Sequence, residues 1–99
     1  TGLPAGFSLA QNWPNPFNAS TLIRISLPAG SPTAPAKLAI YDSRGRLVRL
    51  LFDGTAAPGH YIARWDGCDE QGRPEPSGLY FYRFTQGDRV AEGKMSLIR

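Results

Sequence analysis

The chain has 99 residues, 11 Lys and Arg against 8 Asp and Glu, and one cysteine. That length is one domain, and a single thiol excludes an internal disulfide framework. Glycine (11) and proline (9) are plentiful, which points to many turns and short strands, hence an all-β fold. The excess of three positive charges is small, so charge alone does not demand an anionic partner. Nine of the eleven cations are Arg, and every acid lies from Asp42 onward. No apolar run is long enough for a transmembrane helix and no signal peptide is present. The chain opens Thr-Gly-Leu-Pro without Met, as expected of a piece cut from a larger precursor, with residues 1–6 a linker remnant and 7–99 the folded unit.

Periodicity is two wherever it is clear, and no helix or internal repeat is expected. Phe7 and Leu9 alternate in a first short strand. QNWPNPFN, residues 11–18, follows. Each proline removes an amide donor and holds its predecessor extended, and the asparagines are suited to capping nearby amides. The expectation is a kinked buckle without ladder partners, with Trp13 and Phe17 reaching inward as plugs at one end. Ile23, Ile25 and Leu27 alternate in a second strand. Residues 30–35 are a loop. Leu38 and Ile40 share one face of a third strand ending at Asp42. Ser43-Arg44-Gly45 forms a hairpin turn. Residues 46–52 are apolar on both faces, as in a bulged strand.

After the turn at 56–59, Tyr61, Ala63 and Trp65 alternate toward the core. DGCDEQGRPEPS, residues 66–77, is a long polar loop. Gly78 opens a strand over Leu79–Thr85, with Tyr80, Tyr82 and Phe84 on one face. A turn at 86–88 leads into the last strand, Val90–Ile98. Seven strands at this spacing predict an immunoglobulin-like or fibronectin-III-like antiparallel β-sandwich.

Catalytic chemistry finds few candidates. His60 is the only imidazole and sits at a strand start, as a solvated surface histidine does. Cys68 is followed by Asp69, and a neighbouring carboxylate raises a thiol pKa, the wrong direction for a nucleophile. Asp66, Asp69, Glu70 and Glu75 share one loop rather than flanking a cleft, unlike a glycosidase pair. Asp66, Asp69 and Glu70 are a weak calcium candidate. The alternative is that Asp66 and Asp69 cap turn amides while Gly67 and Gly72 take positive φ. No cofactor is expected and the chain reads as a non-enzyme. YFYRF pairs aromatics with Arg, but Arg83 points away from Tyr80, Tyr82 and Phe84, so no nucleic-acid platform is expected. Exposed Trp13 and Trp65 would be the platforms of a carbohydrate-binding accessory module. Trp65 shares its face with Tyr61 and Ala63, which favours burial. Tyr80, just after Ser77-Gly78, suits a tyrosine corner. Lys94 and Arg99, near the chain end, suit an edge protected by charge, docking to an acidic groove, or strand addition onto a partner.

One set of motifs runs in order along nearly the whole chain. It comprises LAQNWPNPFN from Leu9, Ser20-Thr21-Leu22-Ile23, Leu27-Pro28, and Ile40-Tyr41-Asp42 with Gly45. It continues with Trp65-Asp66-Gly67, Asp69 and Gly72, then Ser77-Gly78-Leu79-Tyr80-Phe81-Tyr82-Arg83 and the ending Lys94 to Arg99. The set resembles the type IX secretion system (Por) C-terminal sorting domain, and its central part is similar to the immunoglobulin-like domain of the flagellar hook-capping protein. Trp13 stands where the sorting-domain pattern has Tyr. The resemblance implies a C-terminal label that carries an N-terminal cargo across the outer membrane of a Bacteroidota-type bacterium. It implies as partners the type IX translocon, its shuttle proteins and a sortase-like peptidase, with no nucleic acid and no membrane insertion. The cargo would be secreted or held at the cell surface after passing through the periplasm. The implied recognition elements are Gly78 and Tyr80 at a strand start, and Lys94 and Arg99 in the last strand.

Overall fold

The computed structural model describes residues 8–99; Phe7 and the expected linker at 1–6 lie outside them. The elements are β1 (Ser8–Leu9), β2 (Thr21–Leu27), β3 (Ala34–Asp42), β4 (Leu47–Ala56), β5 (Gly59–Trp65), β6 (Gly78–Gln86) and β7 (Arg89–Leu97). Six of these are strands of seven to ten residues, whereas β1 is a two-residue ladder. Seven strands were expected with a short first one; six are full strands and the first is only a two-residue fragment on the edge of β2.

All pairings between strands are antiparallel, in two sheets ordered β1-β2-β5 and β4-β3-β6-β7. Alternation decides the faces. Ile23, Ile25 and Leu27 meet Leu38, Ile40, Tyr80, Tyr82 and Phe84 in one core, all buried. Trp65 is fully buried and packs edge-on to Tyr80, with ring centroids 5.2 Å apart, and the Phe17 ring centroid lies 5.6 Å from that of Trp65. Met95 and Leu97 of β7 complete the layer. The two-faced apolar pattern of β4 comes from two register shifts against β3, between Leu38 and Ala39 and between Ile40 and Tyr41. Each leaves an extra β4 residue unopposed and rotates the strand, as bulges do.

Two pieces of QNWPNPFN behave differently from expectation. Trp13 is 73% exposed, whereas Asn12 beside it is buried. The reason is pairing. Trp13 exchanges both main-chain hydrogen bonds with Leu22 (2.9 and 3.0 Å), and opposed residues share a face. Leu22 points outward, so Trp13 does too. The interior place falls to Asn12, whose Nδ2 donates to Thr21 Oγ1 (2.9 Å) and Pro14 O (3.2 Å) while its Oδ1 accepts from Gln11 Nε2. Phe17 does plug the core, and the segment has ladder partners after all. Phe17 bridges Leu97 in parallel, donating its amide to Ser96 O (3.0 Å) and accepting from Ile98 N (2.8 Å).

Tyr82 spans the closed side of the sandwich. Its ring crosses β7 directly over Gly93, its cross-strand partner, and its hydroxyl accepts from Asn12 N and donates to Ala10 O, both at 3.1 Å. A Cβ on Gly93 would lie 2.3 Å from the ring and hydroxyl, whereas one on Gly54 would meet only Phe52 at 3.5 Å. Gly93→Ala is therefore expected to destabilise by about 1–3 kcal/mol, the usual cost of overpacking, with Gly54→Ala nearly neutral. Urea denaturation of the two variants checks this, and equal midpoints would contradict the Tyr82 crossing.

Candidate recognition site along the last strand

β7 is paired with β6 on one side only. An edge strand presents alternate amides and carbonyls to solvent unless something covers them. Here residues 11–17 do the covering. Gln11 Nε2 donates to Lys94 O (3.0 Å), Asn15 Oδ1 accepts from Ser96 N (2.9 Å), and Phe17 takes Ser96 O and Ile98 N. The carboxyl-terminal half of the β7 edge is thus closed from within.

Of the four residues expected to face a partner, two are used inside the fold. Tyr80 is buried, and its hydroxyl donates to Pro76 O at 2.6 Å, four residues back, as a tyrosine corner does. Burial raises its pKa, and the nearby Glu75 carboxylate adds to the rise. Its ring is packed in the core. Arg99 is exposed, yet it is anchored. Its Nη2 donates to Gly67 O (2.6 Å), its Nε to Glu75 O, and its amide to Ser77 Oγ (2.8 Å). The last residue therefore ties the 66–77 loop to the end of β7. Gly67 has φ +75°, and a Cβ there would lie 2.8 Å from that guanidinium. Gly78 is exposed and pairs with Leu97. Lys94 is exposed on β7 across from Phe81, with its ammonium facing solvent.

The acidic residues of the loop are occupied likewise. Arg49 Nη1 donates to Asp66 Oδ1 (3.3 Å), Arg49 Nε lies 3.9 Å from Glu70, and Glu70 also accepts from the amide of Leu50. Asp66 caps Cys68 N at 3.1 Å. Asp69 accepts from the amides of Gln71 and Arg73 and from Arg73 Nε (2.9, 2.9 and 3.0 Å). Among the described residues no three His, Cys, Asp or Glu side chains converge as a metal site.

A local repeat that the sequence reading missed now appears. Asp42-Ser-Arg-Gly45-Arg46 and Asp69-Glu-Gln-Gly72-Arg73 form the same turn. In each, the Asp carboxylate takes the amides two and four residues on and the Nε of the Arg. In each the Gly amide donates to the Asp carbonyl, with φ +85° and +82°. D-x-x-G-R was the available signal. The two turns line one polar cleft with Leu47, Val48 and Glu75.

The chain is a FlgD Ig-like domain: that family matches residues 14–94, most of its length. No curated protein matches it. Two solved structures from Porphyromonas gingivalis contain a similar fold. One is dimeric latent PorU, with a TM-score of 0.71 and 23% identity over 98% of this chain and 10% of that chain. The other is PorZ, with a TM-score of 0.59 and 19% identity over 93% of this chain and 12% of that chain. The chain thus spans about a tenth of the length of either.

Both turn aspartates have lowered pKa values. For Asp69 the Arg73 amide is the main cause; for Asp42 desolvation pushes upward but is outweighed by Arg46 and Arg44. A carboxyl held below its ordinary 3.8 in the folded state stabilises above that pH, and the contribution is lost as pH falls through the folded value. The domain is expected to lose stability on going from about pH 5 to about pH 3. Asp42→Asn/Asp69→Asn is expected to be less stable at pH 6 and to show a shallower acid slope. Thermal melts across this range check it, and an unchanged slope would contradict the assignment.

Proposed function

We propose that this domain is a non-catalytic address. It directs an attached cargo protein across the outer membrane through the type IX secretion system, leaving the cargo secreted or at the cell surface. The observation that carries this reading is the match of almost the whole chain to a tenth of PorU and of PorZ. PorZ is an essential surface component of that system. The proposed partners are the translocon, its shuttle proteins and a sortase-like peptidase. A rigid folded surface is what such partners would read, and Tyr80, Arg99 and the 11–17 buckle keep the end of β7 in shape. Lys94 is then the contact residue, with Gly78 leaving the neighbouring strand start bare.

A second reading follows from the family itself, a role in flagellar hook assembly as the FlgD domain's own context implies. The sorting resemblance rests partly on Leu9–Trp13 and Met95–Arg99, which fall outside the matched span 14–94. A carbohydrate module is less favoured than the sequence allowed, because Trp65 is fully buried and cannot stack a sugar. Trp13 alone keeps an open ring.

Truncating Lys94–Arg99 is a poor test, since it strips Met95 and Leu97 from the core. Lys94→Glu changes only the surface. In a type IX-competent bacterium, a reporter fused ahead of the domain is expected to reach the cell surface. Lys94→Glu is expected to lower that yield about tenfold, as loss of a central charged contact does. Full yield from the variant would overturn the Lys94 assignment. A wild-type fusion retained in the periplasm would overturn the address reading itself.

A further inference from the structure

The outer face of the β1-β2-β5 sheet joins exposed apolar side chains to arginines that are unpaired among the described residues. None of the eight acids lies in these strands. The register sets three rows across the face: Ser8, Ser26 and His60; then Arg24 and Ile62; then Trp13, Leu22 and Arg64. Trp13 is 73% and Ile62 63% exposed. Arg24 and Arg64 occupy diagonal positions, with backbones roughly 7–8 Å apart by antiparallel geometry. Neither guanidinium has a carboxylate partner among the described residues. On the other sheet and its loops most of the arginines are paired, although Lys94 faces solvent. Arg46, Arg49, Arg73 and Arg83 each hold a carboxylate, and Lys37 stands opposite Asp53.

We propose that this face docks the acidic surface of a partner polypeptide, with Arg24 and Arg64 as the charge contacts and Trp13 and Ile62 as apolar anchors. Two adjacent cations without a counterion repel one another and are relieved by an external anion. Protein interface cores are enriched in Trp and Arg and depleted in Lys, Asp and Glu; this face carries one Trp and two Arg with no Lys, Asp or Glu in its strands. An anionic membrane is a poorer fit, because lipid-binding patches gather about four to eight Lys or Arg. The face lies on the sheet opposite β7, so the proposal stands apart from the role of Lys94.

The test is an NMR titration of the 99-residue chain with three peptides: hexaglutamate, hexaglutamine and (Glu-Leu)3. Anionic vesicles of phosphatidylglycerol form a further arm. Hexaglutamate is expected to shift the amides of β2 and β5 and the Trp13 indole, and hexaglutamine to shift nothing. (Glu-Leu)3 is expected to bind more tightly, with the gain lost in Trp13→Ala. Arg24→Glu/Arg64→Glu is expected to weaken both acidic peptides about tenfold or more, and about 0.5 M salt to abolish the binding. Should the double Glu variant fail to fold, Arg24→Gln/Arg64→Gln takes its place. The proposal is overturned if hexaglutamine binds as well as hexaglutamate, if the shifts centre on Lys37, Arg44 or Lys94, or if vesicles bind where the peptides do not.

Discussion

Everything at one flank of this sandwich depends on a two-bond clasp between Phe17 and β7. Phe17 donates to Ser96 O and accepts from Ile98 N, a parallel step between segments about eighty residues apart in sequence. It satisfies main-chain groups that an edge strand leaves open. It also delivers the Phe17 ring to Trp65, and Trp65 in turn rests on Tyr80. The same flank is crossed by Tyr82, whose hydroxyl reaches the main chain of Ala10 and Asn12. Main-chain pairing, ring packing and one hydroxyl thus close the same joint. Such a joint behaves as a unit, because loss of any member exposes polar groups that the others bury.

The end of the chain is fastened in the same way. Arg99 holds the 66–77 loop through carbonyls of Gly67 and Glu75, and Tyr80 holds it through Pro76. Asp66 and Glu70 then carry the loop across to Arg49 on β4. The loop is long and polar, yet nearly every charged group in it has a partner within the fold. Its chemistry is that of a strap, and its two-turn symmetry with Asp42–Arg46 shows the same solution used twice for a tight reversal of the chain.

The two sheets are electrostatically unlike. On the four-stranded sheet and its loops Arg46, Arg49, Arg73 and Arg83 hold carboxylates; the other sheet carries Arg24 and Arg64 without one among the described residues, beside an exposed indole. A domain of this size has few ways to be both stable and recognisable, since each residue lost from the core is a large fraction of a small margin. Placing the balanced charges where they brace loops, and the unbalanced ones on a flat face, separates the two tasks.

Much of the fold was legible in order. Period-two alternation marked Ile23, Ile25, Leu38, Ile40, Trp65, Tyr82 and Phe84 as core, and all are buried. Turn residues placed the Gly45 reversal, and Ser77-Gly78 ahead of Tyr80 pointed to its corner. The identity of neighbours was not legible. Trp13 looked like a plug because aromatic residues bury well, but its pairing with Leu22 turned it to solvent. Arg99 read as an edge charge or a docking contact, but the loop folds back to meet it. Gly93 carried no signal at all, since the need for a missing Cβ arises only when Tyr82 crosses above it.

The sequence by itself determined which residues alternate, where the chain turns, and hence that two antiparallel sheets enclose aromatic rings. Those are consequences of local geometry, propagated two residues at a time. The tertiary structure alone decided which strand edge is covered, which cations are neutralised and which aromatic faces water. Each of these depends on contacts between segments far apart in the chain, whose register no local pattern records.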